Sequence, residues 1–350
     1  MAGPLEGVRI VELAGIGPGP FCCMMLADHG AEVITVHRPG AAPDARDPLM
    51  RSRYYKEADL KSPQGIQKVR ELIKTADGLV EGFRPGVLER LGLDPAALLE
   101  DNPRLVIGRM TGWGQTGPLA HAAGHDINFI GLSGALHAFG RSGEKPTPPI
   151  NTVGDFGGGG MLLAFAMVAG ILKAAKTGQG DVIDCAMTEG SSLLMSMMWG
   201  MKAHGEWRDE RGVNLLDTGA HFYDSFETAD GKFISLGAVE SHFYTQMLAL
   251  TGFEDDPELS EQMNPAAWPA LKKKVEAVIK TKTRDEWNEL LEGTDVCYGP
   301  VLSMTEAPEH PHNKSRGAYI SLDGVVQPAP APKYANAVAD RPRKPRSFKG

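Results

Sequence analysis

The 350-residue sequence predicts a large open α/β domain of the Rossmann-like type, followed by a smaller α+β domain. Short apolar runs alternate with helical segments through the first half of the chain, which is the pattern of a parallel sheet covered by helices. After residue 220, two strand-like runs flank a turn at Ala229-Asp230-Gly231, which predicts an antiparallel hairpin. The chain is also long for one hydrophobic core, so two domains are expected.

The predicted elements of the large domain alternate between strand and helix. Short, mostly apolar runs predict buried strands at 8–13, 31–36, 78–81, 105–109 and 181–186. Helices are predicted at 21–29, from an N-cap at Ser62 to about residue 76, and in an apolar stretch at 157–175. In the small domain the hairpin strands are 222–226 and 233–236. Thr283 and Glu286 there have capping-box spacing, and Gly293 ends that helix.

The loop after the first strand superficially resembles a dinucleotide-binding turn. Gly15, Gly17 and Gly19 give the spacing GxGxG rather than GxGxxG, and Pro18 and Pro20 interrupt it. A proline has no backbone N–H to donate to a pyrophosphate. The sequence therefore argues against a nicotinamide or flavin site at this loop.

Charge and cysteine content exclude several classes of function. The formal net charge of −8 argues against a broad nucleic-acid surface, which needs an excess of basic residues. No basic segment followed by an apolar run opens the chain, and the four cysteines show no CxxC spacing. Small apolar thiols in a reducing compartment are the simplest interpretation. We therefore expect a cytoplasmic protein with no metal, no nucleic-acid partner and no membrane partner.

Three ionisable residues stand among glycines and apolar residues, where a packed core disfavours charge. His125 precedes an apolar stretch, Asp155 precedes the glycines at 157–160, and Glu240 directly follows an apolar strand. Each also has a structural interpretation: a helix cap for the histidine, a turn residue for the aspartate, and a carboxylate at a helix N-terminus for the glutamate.

Together, the histidine and the aspartate form a candidate pair for moving a proton on and off one carbon atom. Such chemistry needs two groups on opposite faces of the carbon, one protonated and one deprotonated at the start. Burial is expected to raise the pKa of Asp155. The intermediate is an enolate whose oxygen needs preorganised donors, which the backbone after His125 could supply.

Four sequence blocks carry a resemblance to a known family: PLEGVRIVEL at 4–13, DLKS at 59–62, GFRPGV at 82–87 and RMTGWGQTGP at 109–118. With the segments around His125 and Asp155, they resemble the class III (CaiB/BaiF-type) CoA-transferase superfamily, in its α-methylacyl-CoA racemase branch. The resemblance extends to about Val301. It implies an isomerase that interconverts (2R)- and (2S)-2-methylacyl-CoA thioesters by 1,1-proton transfer through an enolate.

The resemblance implies a role for each matching residue of the site. His125 and Asp155 correspond to the two groups that exchange the proton on opposite faces of the carbon. Glu240 corresponds to the carboxylate that pairs with the histidine, and Asn151 to the amide beside the aspartate. Asp126 corresponds to the residue whose backbone N–H holds the thioester oxygen.

The resemblance also implies a binding site for the CoA moiety of the substrate and no other cofactor. The residues that correspond to CoA contacts are Arg38, Ala58, Leu60, Lys61 and Arg90. Tyr223 corresponds to a residue near the acyl pocket.

The sequence departs from the family pattern in two places. The run before Asp59 is usually denser in basic residues, and here it contains Tyr54 and Tyr55. The C-terminal end also has no recognised counterpart, although it is strongly basic, and we predict an extended, solvated segment from residue 327. Its basic residues are Arg341, Arg343, Lys344, Arg346 and Lys349.

The family implies an intertwined homodimer whose active sites are shared between subunits. The large CoA-binding domain would comprise residues 1–186, with 320–350 returning to it, and the small domain residues 221–302. Segments 187–220 and 303–319 would link them. In such a dimer Glu240 would approach His125 from the partner subunit.

Two other functions are open from the sequence. A class III CoA-transferase would use Asp155 as a nucleophile that attacks the thioester and forms a mixed anhydride. A non-catalytic acyl-CoA-binding protein would be free to lose all three acid/base residues. The joint presence of His125, Asp155 and Glu240 favours the racemase, whereas nothing in the sequence specifies the acyl group.

Overall fold

The computed structural model describes residues 2–41 and 43–349 of the chain. These residues form two compact units, each with its own cluster of buried apolar side chains. Unit 1 contains the described residues of Met1–Ser133, Pro149–Met195 and Lys314–Gly350, and unit 2 contains Gly134–Pro148 and Ser196–Asn313.

This division differs from the predicted domain boundaries, because the predicted linkers 187–220 and 303–319 belong to the two units and one segment changes unit. Residues 134–148, predicted in the large domain, group with unit 2, where Arg141 donates two hydrogen bonds to the buried carboxylate of Asp224. Residues 187–195, predicted as part of a linker, are largely helical and group with unit 1. Residues 1, 42 and 350 of the predicted large domain lie outside the described residues.

Unit 1 is built on a seven-stranded parallel sheet, which confirms the predicted open α/β fold. In chain order the strands of the protein are β1 (Arg9–Leu13), β2 (Glu32–His37), β3 (Tyr54–Glu57), β4 (Gly78–Glu81), β5 (Val106–Thr111), β6 (Asp181–Ala186), β7 (Tyr223–Glu227), β8 (Phe233–Gly237), β9 (Tyr298–Val301), β10 (Tyr319–Leu322), β11 (Val325–Pro328) and β12 (Arg346–Ser347). The large sheet has the order β12-β3-β2-β1-β4-β5-β6, so the direction of winding changes between β1 and β4.

The helices cover both long apolar stretches and short connections. They are α1 (Pro18–Asp28), α2 (Pro63–Ile73), α3 (Val87–Arg90), α4 (Pro95–Asp101), α5 (Asp126–Leu132), α6 (Ala135–Ala138), α7 (Leu162–Thr177), α8 (Met187–Leu194), α9 (Ser196–Ala203), α10 (Ser241–Thr251), α11 (Trp268–Ile279), α12 (Arg284–Leu291) and α13 (Pro311–Arg316). A π-helical segment, Thr152–Met161, runs directly into α7.

Local signals in the sequence located several helix ends. Ser62 caps α2 by accepting from the N–H of Gly65, as predicted. Helix α1, in contrast, begins at Pro18 rather than at Phe21, so the prediction that both prolines precede the helix is wrong. Prolines are tolerated there because the first N–H groups of a helix have no partner within it.

The π-helical segment and α7 form one apolar helix of 26 residues, Thr152–Thr177. By length and composition alone it could cross a bilayer, although 39% of its most apolar window is buried inside the protein. Met167 packs so closely on the sheet that a Cβ at Gly78 would lie 2.6 Å from its Cε, and one at Gly108 would lie 2.7 Å from its Sδ. Close packing of this kind is typical of a core helix, which passes the same test of length and apolarity.

A buried charge network joins the first three strands of the sheet. The Arg53 side chain is fully buried and donates to the buried carboxylate of Glu12, which also accepts from Thr35 Oγ1 at 2.6 Å. Arg53 further donates to the carbonyl oxygens of Pro20 and Leu49. The network therefore links the central strands to the start of α1.

The C-terminal segment is extended and mostly exposed, as predicted, but it is also attached to unit 1 through Gln327 and β12. Strands β10 and β11 form an antiparallel hairpin in which Gln327 is buried. Gln327 Oε1 accepts from Arg51 Nη1 at 3.0 Å, and Arg51 Nε also donates to Asp28 at 2.9 Å. Strand β12 then pairs in parallel with β3. Composition did not predict this because the docking contacts come from residues far apart in the sequence.

Unit 2 is an α+β unit around the antiparallel sheet β7-β8-β9. The predicted hairpin is confirmed, with Tyr223 opposite Gly237 and Glu227 opposite Phe233. The predicted capping box is also confirmed, since Thr283 N–H donates to Glu286 at 2.8 Å at the start of α12.

The buried pair Arg53–Glu12 generates a prediction about stability. Glu12→Ala is expected to lower the free energy of unfolding by about 3–5 kcal/mol, because it leaves the Arg53 charge buried without its partner. The measurement is urea unfolding followed by circular dichroism. The matched control is Asp44→Ala, which breaks an exposed pair with Arg46 and should leave the free energy of unfolding almost unchanged. Equal losses for the two variants would contradict the importance of the buried pair.

Candidate active site

A cavity of about 1090 Å³ lies within unit 1 at the carboxyl ends of β1, β4 and β5. It opens where the direction of winding changes, which is the place where open α/β sheets bind ligands. The loops after these strands form much of its wall. Among the predicted catalytic residues, the cavity is lined by His125, Asn151 and Asp155.

His125 is the N-cap residue of α5 and is exposed at the cavity wall. Its backbone N–H donates to Asn128 Oδ1 at 3.0 Å, and its carbonyl accepts from Asn128 N–H at 2.8 Å. The backbone of His125 therefore performs the capping role. His125 is also one of the residues that line the cavity.

Asp155 lies in the π-helical segment and is half-buried. Asn151 Nδ2 donates to Asp155 Oδ2 at 2.7 Å, as expected for the amide beside the aspartate. The loop after β1 approaches the same carboxylate: a Cβ at Gly17 would lie 3.1 Å from Asp155 Oδ2. Gly17 also has φ of +69°, so both its conformation and its proximity to the carboxylate disfavour a side chain there.

The side chain of Asp126 connects the two candidate acid/base residues. Asp126 follows His125 in sequence, is almost fully buried, and accepts the backbone N–H of Asp155 on Oδ1 at 2.7 Å. A Cβ at Gly154 would lie only 2.3 Å from the same oxygen. Sequence reasoning assigned a role only to the Asp126 backbone and missed this contact, because the residue that it binds lies 29 positions away.

The surroundings of Asp155 raise the pKa of its carboxyl group. Burial is the main cause, since it disfavours the ionised form, and the nearby Asp126 carboxylate adds to it. The hydrogen bond from Asn151 and the proximity of His125 act in the opposite direction. Burial of Asp155 thus acts on its pKa in the direction expected from the sequence.

Consecutive glycines allow the π-helical segment to pack against two neighbouring helices. A Cβ at Gly158 would lie 2.6 Å from the backbone nitrogen of Ser191 in α8, and one at Gly160 would lie 2.8 Å from the carbonyl oxygen of Pro18 in α1. The helices that approach these glycines, α1 and α8, belong to the same unit.

Two of the predicted site residues lie in unit 2. Glu240 is the exposed N-cap residue of α10 and lies three residues after β8 ends at Gly237. Its carbonyl accepts from Tyr244 N–H at 2.9 Å. Tyr223 begins β7 and is half-buried beside Gly237.

Most of the predicted CoA residues lie beyond the carboxyl-terminal ends of β2 and β3, on the side of the sheet where the cavity opens. Arg38 directly follows β2, and Ala58 follows β3 with its N–H donating to the His37 carbonyl at 2.9 Å. Leu60 and Lys61 come next, and Arg90 ends α3. The described residues that line the cavity include none of these five, which are Arg38, Ala58, Leu60, Lys61 and Arg90.

One cavity wall was not assigned by sequence reasoning. Phe83 and Arg84 line the cavity, and Arg84 is exposed. Their loop is fixed by buried Glu81, which accepts from Phe83 N–H at 2.7 Å and from Arg109 Nε at 2.8 Å. The sequence block GFRPGV, which contains Phe83 and Arg84, was the signal that could have identified this wall.

For metals, residues 2–41 and 43–349 contain no group of three or more suitable side chains placed to hold an ion.

The Asp126 contact generates a prediction about the Asp155 carboxyl group. Asp126→Asn keeps an oxygen acceptor for the Asp155 N–H but removes a negative charge, so the pKa of Asp155 is expected to fall. The measurement is an NMR titration of the labelled Asp155 carboxyl carbon in wild type and variant. An unchanged or higher pKa would contradict the electrostatic role of Asp126.

Asp126→Ala is the companion variant. It removes both the charge and the acceptor, so it is expected to lower the free energy of unfolding by about 1–3 kcal/mol more than Asp126→Asn does. Urea unfolding of the two variants separates the hydrogen bond from the charge. Equal stabilities would mean that the bond to the Asp155 N–H is not what holds the segment.

Comparisons with known proteins identify the relatives of this chain. The family model described as CoA-transferase family III matches residues 5–348. The chain is 46% identical to the α-methylacyl-CoA racemase of Mus musculus, covering 94% of this chain and 85% of the relative, and 44% identical to that of Homo sapiens, covering 96% and 87%. A crystal structure of a CaiB/BaiF family protein from Brucella suis has a TM-score of 0.84 at 26% identity, covering 99% of this chain and 97% of the other. The chain belongs to CoA-transferase family III.

Proposed function

We propose that this protein is an α-methylacyl-CoA racemase, an isomerase that inverts the 2-methyl stereocentre of an acyl-CoA thioester. The observation that carries the proposal is that His125 and Asp155 line one cavity, with Asp155 held by Asn151 and Asp126 in surroundings that raise its pKa. The identities of 46% and 44% to curated racemases support the same chemistry.

In the proposed reaction one group removes the α-proton and the other returns a proton to the opposite face. When Asp155 is the base, its carboxylate takes the proton and His125, initially protonated, supplies the new one. For the other epimer the roles are exchanged. A raised pKa makes Asp155 a stronger base than an ordinary carboxylate, which suits it to removing an α-proton.

The enolate oxygen formed between the two steps needs a hydrogen-bond donor. The Asp126 N–H is in the first turn of α5, where backbone N–H groups have no partner within the helix. We assign it to the thioester oxygen, where one such donor typically contributes about 3–4 kcal/mol to the transition state. Asp126 would thus have two roles: its backbone N–H would donate to the substrate, and its carboxylate accepts the N–H of Asp155.

The CoA moiety would be bound by the residues at the edge of the sheet, and no further cofactor is required. Arg38, Lys61 and Arg90 are exposed cations that suit phosphate groups, and half-buried Leu60 offers apolar surface for the adenine, close in sequence to the buried Ala58. Tyr223 would lie near the acyl group. Because CoA belongs to the substrate, the protein's own side chains supply all of the acid/base chemistry.

A CoA-transferase is the second candidate, because the family model carries that name. In that reaction the Asp155 carboxylate would attack the thioester carbon, form a mixed anhydride and release CoA thiolate. The thiolate would then attack the Asp155 carbonyl carbon, which releases the donor acid and leaves an aspartyl-CoA thioester. An acceptor carboxylate would attack that thioester, and the same two steps in reverse would release the new acyl-CoA and free Asp155. It requires a carboxylic acid acceptor and no histidine base. The position of His125 in the same cavity favours proton transfer.

We also propose that the enzyme is a homodimer in which the partner's Glu240 pairs with His125. Supporting this, α7 exposes three apolar side chains on one face, with exposed fractions of 71% for Phe165, 38% for Val168 and 55% for Leu172. An apolar face of this kind normally marks a contact surface. A second copy of the chain would cover it.

The racemase proposal predicts the behaviour of His125→Gln. One pure epimer of a 2-methylacyl-CoA, with no carboxylic acid present, should drift to a nearly even mixture with wild-type enzyme. The variant should do so at least about a hundredfold more slowly, because general acid/base catalysis is lost. Chiral chromatography of the hydrolysed acid measures the ratio. His121→Gln is the control, since His121 is exposed and four residues away.

Two results would contradict the racemase proposal. One is a His125→Gln variant that racemises the substrate at the wild-type rate. The other is an epimer ratio that stays fixed while CoA moves to an added carboxylic acid, which would make Asp155 a nucleophile.

The shared site predicts complementation between two inactive variants. His125→Gln and Glu240→Gln subunits carrying different tags are co-expressed, and the mixed dimer is isolated through both tags. One of its two sites then contains both mutations and the other contains neither, so roughly half of the wild-type activity per dimer is expected. An inactive mixed dimer, alongside a wild-type dimer prepared in the same way that is active, would mean that each site uses residues of one chain.

A further inference from the structure

The C-terminal strand adds a basic segment to the edge of the large sheet. Ser52 N–H donates to the Arg343 carbonyl at 2.7 Å, Arg346 N–H to the Arg53 carbonyl at 3.1 Å, and Phe348 N–H to the Tyr55 carbonyl at 2.8 Å. These bonds fix the register of β12 against β3. The last described residues therefore have a defined place in unit 1.

Side chains on one face of the two strands hold the segment in place. The Arg343 guanidinium lies 4.5 Å from the centroid of the Tyr54 ring, and Phe348 meets the same ring edge-on at 5.9 Å. Lys56 Nζ lies 5.3 Å from the centroid of Phe348. Tyr54, which stands in the run where a denser series of basic residues was expected, thus docks the basic C-terminal segment.

Because the strands are parallel, Lys349 lies at the carboxyl-terminal ends of the strands, where Arg38 and Lys61 also lie. All three strands are parallel, so β2, β3 and β12 end at the same side of the sheet. Arg38 follows β2, Lys61 follows β3, and Lys349 directly follows Phe348, which bonds to Tyr55 two residues before β3 ends. Adjacent strands are about 4.8 Å apart, so the backbones of Lys349 and Arg38 are separated by roughly 10 Å.

These three cations are available for a ligand. All three are exposed, and within residues 2–41 and 43–349 none has a carboxylate within ion-pair distance. Lys344 differs, because it pairs with Asp323 at 2.7 Å. Two carboxylates share the edge, Glu57 at the end of β3 and Asp59, whose Oδ1 accepts the Lys61 N–H at 3.0 Å. The cations outnumber them, although the chain as a whole carries a net charge of −8.

We propose that Lys349 joins Arg38 and Lys61 in binding the phosphate groups of the CoA thioester. The ligand class rests on the proposed function, because CoA is the polyanion that a racemase of this kind must bind. The C-terminal segment then supplies a cation next to β3, the strand in which Tyr54 and Tyr55 stand where more basic residues were expected. Lys349 is assigned to binding alone and takes no part in proton transfer.

The test is calorimetric titration of the full-length protein with CoA. Lys349→Gln is expected to weaken binding about fivefold, less than a buried phosphate contact because the site is exposed to water and salt. The matched control is Lys344→Gln, which removes a cation from the same segment and should bind within twofold of wild type. In the racemisation assay, Lys349→Gln should raise KM and leave kcat unchanged.

Dephospho-CoA separates the two phosphate sources. If Lys349 contacts the 3′-phosphate, wild type and Lys349→Gln should bind dephospho-CoA equally; if it contacts the diphosphate, the fivefold difference should persist. Either result supports the proposal.

Equal binding of CoA by wild type and Lys349→Gln would overturn the assignment of Lys349 and leave the racemase untouched. A wild-type protein that does not bind CoA would overturn both proposals. Normal CoA binding without racemisation would overturn only the proposed reaction.

Discussion

The position of Asp155 depends on how closely the π-helical segment packs against its neighbours. Backbone of α8 and α1 approaches Gly158 and Gly160 to distances at which no side chain fits, and the Asp126 carboxylate occupies the space beside Gly154. A segment held from three sides cannot rotate without losing these contacts. Main-chain packing therefore fixes the backbone at Asp155, and the hydrogen bond from Asn151 orients its carboxyl group.

The same packing explains how the site combines a fixed geometry with a perturbed carboxyl group. Burial disfavours the ionised form of Asp155, while the amide of Asn151 partly offsets that cost. Asp126 adds negative charge nearby and at the same time satisfies the Asp155 N–H. His125, by contrast, stands at the exposed start of α5. The two candidate acid/base groups thus have different surroundings, which is what two roles in one proton transfer require.

The sequence was sufficient for features that depend on local pattern. Apolar runs located five of the strands of the large sheet, and side-chain spacing located the caps at Ser62 and Thr283. The sequence was insufficient where contacts between distant residues determine the local structure. Strand β12 has two residues and exists because Arg343 and Phe348 pack on Tyr54. The π-helical turn at Asp155 likewise depends on α1 and α8, and the Asp126 carboxylate finds its partner 29 residues away. Family resemblance supplied the residue roles that no local pattern could.

The central claim is that one proton leaves and re-enters a single carbon between His125 and Asp155. The most direct measurement is incubation of one pure epimer of a 2-methylacyl-CoA in D₂O without any acceptor acid, with α-deuterium content and epimer ratio determined on the same samples. Our account predicts that deuterium enters the α-position as the opposite epimer appears. Substrate that keeps its α-hydrogen and its configuration, while CoA moves to an acid added afterwards, would contradict it.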